Sequence, residues 1–204
     1  TPVENQLTAY WKDFRLLKDG NSLLSDSLFF TVYNDSLNLD LSTMAFNEQP
    51  ISGRIGLKNI RSSRELSGQV IIPQYPLAGI LPQMQGIASI EAEIKGELPD
   101  PLVSLHLGLP ELIFHNQQID NLNLTARASL QEIELQQIQG YWQDNFWQGY
   151  GRYTVDAGLS LTLDAGQMQW EYKGIVSRGD MQVLFDYYRF PRAEITVSSL
   201  EVRY

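Results

Sequence analysis

The residues able to do acid–base or nucleophilic chemistry are few, and they do not converge. The chain has two His and no Cys, so thiol nucleophiles and thiolate zinc sites are excluded. His106 and His115 flank Pro110 and match neither the helical spacing of a paired-histidine metal site nor a mixed His/Cys pattern. His106, in Leu105-His106-Leu107-Gly108-Leu109, falls on the polar side of an alternating strand and reads as a surface histidine; His115 opens a turn. Glu91 and Glu93 share a strand face, and carboxylate pairs run glycosidases. Solvent-facing positions at period two are ordinarily charged, however, and no pocket-like aromatic frame surrounds this pair. Gln148-Gly149-Tyr150-Gly151-Arg152 contains Gly-x-Gly but lacks the third glycine and sits inside a strand, so it is no phosphate cradle. Trp142, Phe146, Trp147, Tyr150 and Tyr153 crowd one region. They could stack on sugar rings, but Trp147, Tyr153 and Val155 lie on one alternating face, which favours cross-strand packing. The expectation is a non-enzymatic chain with no cofactor and no metal.

The elements that would position these residues are strands. In Ile87-Ala88-Ser89-Ile90-Glu91-Ala92-Glu93-Ile94-Lys95, the even positions from Ala88 are apolar and the odd ones from Ser89 polar. Leu122 to Leu130 alternates without a break, and Leu159-Ser160-Leu161-Thr162-Leu163 repeats the pattern. Met168, Trp170 and Tyr172, then Met181, Val183 and Phe185, then Ile195 and Val197 continue it. Period two is the mark of half-buried strands with one dry face. Turn chemistry punctuates the runs at Asn34-Asp35, Asn47 to Pro50, Pro99-Asp100-Pro101, His115-Asn116, Asp144-Asn145, Asp156-Ala157-Gly158, Asp164-Ala165-Gly166 and Arg178-Gly179-Asp180. Such short spacing predicts sequential antiparallel hairpins. Glycines within strands, as in Ile138-Gln139-Gly140, predict bulges or bends. Residues 1–20 alone read as an amphipathic helix: Leu7, Tyr10, Trp11, Phe14 and Leu17 fall at steps of three and four, with Thr8 as cap and Gly20 as stop.

The chain has 204 residues, 43% hydrophobic and 19% charged, with a formal charge of −9. This is a globular composition, and the negative balance argues against broad phosphate-backbone contact, so nucleic acid is not an expected partner. No run approaches the roughly 18 apolar residues of a membrane-spanning helix. The chain opens Thr1-Pro2-Val3, which suggests a piece of something longer. Residues 21–204 read as a single β-rich domain, with the proline cluster Pro73, Pro76 and Pro82 as a strand connection inside it.

One section carries more than strand grammar. Gly68-Gln69-Val70-Ile71-Ile72-Pro73 and Tyr75-Pro76-Leu77-Ala78-Gly79-Ile80-Leu81-Pro82 precede Gly86-Ile87-Ala88, Ile94-Lys95-Gly96-Glu97-Leu98-Pro99-Asp100-Pro101 and Ile119-Asp120-Asn121-Leu122-Asn123-Leu124. From about Gly53 to Gly174 the chain resembles the periplasmic repeats of the TamB and AsmA-like families of Gram-negative bacteria. The resemblance implies an all-β fold: an elongated, curled antiparallel sheet forming an open, taco-like groove, here with a short N-terminal helix. It implies a non-enzymatic role in outer-membrane biogenesis, shielding or conducting phospholipid acyl chains or unfolded outer-membrane protein strands between the two membranes. It places the chain in the periplasm, anchored through a segment outside this sequence, with flanking repeats of the same chain and an outer-membrane β-barrel as partners. The groove-lining positions it implies are Ile90, Ala92, Ile94, Leu122, Leu124, Ala126, Ala128, Leu130, Leu161, Leu163, Trp170, Tyr172, Val183 and Phe185. Strands with one apolar face must cover one another or curl round something apolar, because one short helix cannot cover ten or more strands of typical length. A β-sandwich binding module for carbohydrate or protein, using the Trp142 to Tyr153 cluster, is therefore the alternative.

Overall fold

The computed structural model describes residues 6–18, 21–79, 83–115, 117–172, 175–187 and 191–203. Sixteen strands form in chain order: β1 (Gln6–Lys18), β2 (Asn21–Tyr33), β3 (Ser36–Asp40), β4 (Met44–Phe46), β5 (Gln49–Pro50), β6 (Ser52–Lys58), β7 (Glu65–Pro76), β8 (Met84–Gln85), β9 (Ile87–Glu97), β10 (Leu102–Phe114), β11 (Gln117–Ala128), β12 (Glu132–Trp142), β13 (Asn145–Thr154), β14 (Gly158–Tyr172), β15 (Ile175–Tyr187) and β16 (Pro191–Arg203). A 3-10 turn at Leu77–Gly79 is the one helical element among the described residues. The strands belong to one open antiparallel sheet in the order β16-β15-β14-β13-β12-β11-β10-β9-β7-β6-β3-β2-β4-β5, with β1 on the other side of β2 and β8 on β10. The expected all-β architecture is therefore present, as one sheet rather than the two packed sheets of a sandwich. Chain contacts divide it into two compact units, Thr1–Tyr75 with Ala88–Leu105, and Pro76–Ile87 with His106–Tyr204.

The helix expected over residues 1–20 is not formed: residues 6–18 are strand β1, paired with β2 from Gln6↔Tyr33 to Lys18↔Asn21. Thr8 lies inside that strand instead of capping a helix, while Gly20 falls outside the described residues. Tyr, Trp and Phe suit a pleated surface as well as a helix face, and β2 offers a long backbone edge whose N–H and C=O groups require partners. Pairing spreads the helical stripe over both faces up to Lys12, with Leu7 and Trp11 on one side and Tyr10 on the other; beyond Asp13, which has positive φ, the Phe14 ring packs edge-on against Trp11.

In the first unit the register builds cross-strand rows. Leu7–Val32–Leu37–Leu57–Leu66 and Ala9–Phe30–Leu39–Ile55–Gly68 cross β1, β2, β3, β6 and β7 on one face. Gln6–Tyr33–Ser36–Lys58–Glu65 lies on the opposite face. Buried Leu28, Leu41, Met44, Ile51, Ile72, Tyr75 and Ala88 supply the densest packing in this unit. The β4–β5 hairpin turns through Asn47 and Glu48, both at positive φ (48° and 68°). This is the backbone of a type I′ turn, which asparagine tolerates well. Asn47 also stitches the hairpin to β2 and β7. Its N–H donates to Ser22 O at 2.8 Å, and its Oδ1 accepts the Ser22 N–H at 2.7 Å. Its Nδ2 donates to Asn21 Oδ1 at 2.9 Å and to the Tyr75 hydroxyl at 3.2 Å, while the Tyr75 ring stacks on Phe46.

In the second unit β11 to β16 form a meander of long hairpins. Two expected turns prove to be irregularities inside strands. Asp164-Ala165-Gly166 lies within β14, where the ladder to β15 shifts between Ala165 and Met168. Arg178-Gly179-Asp180 lies within β15, where the ladder to β16 shifts between Arg178 and Asp180. The first shift sets Gly166 and Gln167 of β14 against Asp180 alone, and the second sets Ser199 and Leu200 of β16 against Gly179 alone, so the extra residues lie in β14 and β16 and neither triplet reverses the chain. The β14 bulge keeps Ala165 and Met168 both buried, and Met168 at 2% exposure is the most deeply buried large side chain among the described residues.

Two consequences can be measured. Asn47→Ala removes the amide contacts and places a β-carbon residue less tolerant of positive φ, and should lower unfolding free energy by about 1–3 kcal/mol. Asn47→Gly keeps the turn and loses the amide alone, so urea titration of both should rank parent, Gly variant, Ala variant. The Asp40 carboxylate accepts the Ser42 N–H at 2.9 Å, which with a further Ser42 side-chain interaction and nearby Arg54 holds its pKa below the ordinary value. A depressed folded pKa contributes stability that is present above the unfolded pKa and lost as pH falls through the folded one. The stability gap between parent and Asp40→Asn should therefore be widest near neutrality and close below the usual carboxylate range, which equilibrium denaturation at stepped pH will show.

Candidate functional site

The catalytic candidates are apart and solvated. His106 and His115 are both exposed, and His115 packs edge-on against Phe114. Glu91 accepts a hydrogen bond from Gln69 Nε2 at 2.5 Å, and Glu93 pairs with Lys95 on its own strand. Both carboxylates are thus engaged on the polar face of β9, with Glu93 and Lys95 more than half exposed. No group of three His, Asp or Glu able to hold a metal ion occurs among the described residues.

The aromatic cluster does not form one platform. Trp147 and Tyr153 project on the face shared by Gly149 and Gly151, whereas Phe146 and Tyr150 project on the other. Phe146 packs edge-on against Tyr141, and Trp142 Nε1 donates to Gln117 Oε1 at 3.1 Å. These are cross-strand contacts of the kind that order a sheet.

The implied groove residues divide between the units. Ile90, Ala92 and Ile94 stand together, half-buried, on one face of β9 in the first unit, with buried Ala88 beside them. The second unit aligns the others. Leu124 faces Ile138, which faces Gly149, then Leu163, Val183 and Ile195. The next row is Ala126–Leu135–Gly151–Leu161–Phe185–Ala193, and a third begins Ala128–Ile133–Tyr153–Leu159. Leu122 is buried beside the first of these rows, at a register shift in β11. Leu124, Leu161, Leu163, Val183 and Phe185 are only half-buried, and Tyr153 and Ile195 remain 41% and 64% exposed. The result is an incompletely covered apolar face, two rows across the six strands and a third across β11 to β14.

Leu130 does not belong to it. β11 ends at Ala128, Ser129 N–H bonds Glu132 O to close the turn, and Leu130 is 69% exposed at the tip. Trp170 and Tyr172 hold backbone register with Ser177 and Ile175; their side chains lie outside the described residues. Ile133, Leu135, Ile138 and Ile195 share the face and are not among the implied positions. The signal in β12 is obscured because its ladders shift between Leu135 and Ile138, so simple alternation fails there. For Ile195 the alternation is plain, and only its pairing with Val183 identifies the face.

The opposite face is mixed, with exposed Tyr141, Phe146, Tyr150 and Leu184 standing among polar side chains. Arg152 reaches Glu132 across the β12–β13 ladder with Nη2 at 2.7 Å from Oε2 and Nε beside Oε1, and this partner raises the guanidinium pKa. Asp164 accepts from Gln182 Nε2 at 2.7 Å. An apolar face backed by a mixed one on the same six strands is what the arrangement offers chemically: a surface for aliphatic matter, with no assembled acid, base or nucleophile among the described residues. Comparison with protein-family models, characterised proteins and solved structures gave no match to the chain.

Proposed function

We propose that this chain is a non-enzymatic segment that shields or conducts phospholipid acyl chains along its apolar sheet face. The observation that carries the reading is the registered, half-exposed apolar surface from Leu124 to Ile195. Apolar contact is non-directional, so a ladder of leucine, isoleucine, valine and alanine accepts a methylene chain at any axial position, at about 0.8 kcal/mol per buried CH₂. Such a surface favours sliding over fixed binding because it has no polar group to set a register. The resemblance to TamB and AsmA-like repeats adds the setting: the periplasm of a Gram-negative envelope, flanking repeats that extend the sheet, and an outer-membrane β-barrel as a partner. Sheet faces of this kind also suit unfolded outer-membrane protein strands, which the same experiment distinguishes.

Organic extraction and mass spectrometry of purified protein should find phospholipid with the parent chain. Leu124→Glu and Ala126→Glu, each placing a carboxylate among apolar neighbours, should lower retained lipid at least tenfold while far-UV circular dichroism stays unchanged. A parent chain without lipid that nevertheless protects an unfolded β-barrel protein from aggregation favours the protein client. A parent with neither property sinks the proposal.

A further inference from the structure

We infer that the seam between β13 and β14 is a crease in the sheet of the second unit, held by Gly149 and Gly151, and that it fixes how far the apolar face opens. Gly149 faces Leu163 and Gly151 faces Leu161, in the middle of the two longest apolar rows. A β-carbon on Gly149 would lie 2.4 Å from Thr162 O and 2.5 Å from Leu163 Cδ2; one on Gly151 would lie 2.6 Å from Ser160 O. In a flat sheet side chains stand perpendicular to strands about 4.8 Å apart, and a neighbour's carbonyls stay clear of the β-carbon. Those carbonyls reach the β-carbon position only if β14 is tilted toward the side on which the missing side chains would stand. That side is the apolar one. Neither glycine has positive φ, so glycine is required for space and not for backbone conformation.

The first unit repeats the device independently. Gly68 of β7 faces Ile55 of β6 on the apolar face, and a β-carbon there would lie 2.6 Å from Arg54 O. Gly166, in the β14 bulge, provides a contrast: a β-carbon on it would meet nothing closer than Asp180 Oδ1 at 3.7 Å. Gly53 and Gly86 are crowded as closely, 1.9 Å from Gln69 O and 2.5 Å from Glu111 O, but at positive φ, where glycine serves the backbone conformation; Gly68, Gly149 and Gly151 are crowded within the rows without positive φ. Under the acyl-chain reading, on which this consequence rests, the crease would set the width offered to a chain.

The absence of Cys from the chain makes spin labelling direct. Nitroxides on Ala128→Cys in β11 and Ala193→Cys in β16 report the span of the apolar face by pulsed dipolar spectroscopy, since opening the face moves both labels apart. Gly149→Ala with Gly151→Ala should lengthen the mean distance by about one strand spacing, ~5 Å, while Gly166→Ala leaves it unchanged. Gly151→Ala alone, the milder crowding, should give a smaller shift in the same direction and serves if the double variant does not fold. An unchanged distance in folded Gly151→Ala and double variants, or an equal shift in Gly166→Ala, overturns the crease. The distances are read without lipid, so a parent chain that carries no phospholipid overturns the acyl-chain reading while the crease is decided separately.

Discussion

The interstrand backbone hydrogen bond is the interaction on which this molecule depends. In a layered domain two elements bury each other's apolar faces, and the buried contact dominates stability. Here the described strands all belong to one sheet, so side-chain burial is spread thinly and the ladders carry continuity from strand to strand. Long strands follow from that constraint. β14 pairs with β15 from Leu159↔Tyr187 to Tyr172↔Ile175, far beyond the five or six residues of an average strand. Breaks in register are absorbed as bulges because ending a strand would forfeit the rest of its ladder.

Register is what turns alternating sequence into a surface. Each strand alone offers only a few apolar side chains on one side, and a shift of one residue in any ladder would invert them. The shifts in β11, β12, β14 and β16 could have scattered the pattern. They do not: Ala126 meets Leu135 and Ala165 meets Met181 on either side of a bulge, with the apolar face preserved.

Much of this was legible from the sequence because period two is a local signal. The strands around Ile90, Leu124, Leu161 and Val183 declare themselves by alternation, and Asn47-Glu48 by turn chemistry. What was not legible depends on partners. β1 reads as a helix since Leu7, Tyr10, Trp11, Phe14 and Leu17 satisfy the helical spacing, and only the open edge of β2 selects the strand. Leu130 continues the alternation of β11 by type, yet Glu132 takes the Ser129 N–H and turns the chain two residues early. Asp164-Ala165-Gly166 has the composition of Asp156-Ala157-Gly158, but only the second reverses the chain. The difference lies just downstream of each triplet. Beyond Gly166, Met168 has a buried place waiting on the same face, and strand pairing resumes with Gly179.

The glycines show how an extended sheet departs from flatness without losing its ladders. Twist alone rotates neighbouring strands by about 20–25° and does not favour one face over the other. A glycine opposite leucine removes a side chain from one face only, so the loss of bulk is directional and the neighbouring strand can lean in. Gly149 and Gly151 do this on the face that carries Ile138, Leu161 and Leu163, and the side chains of all three reach into the space a β-carbon would fill. Curvature toward the apolar side lowers the water exposure of that face, so the same substitution pattern that shapes the surface also relieves part of the cost of leaving it uncovered. A side chain at either position would therefore act twice, by crowding the seam and by returning apolar area to water.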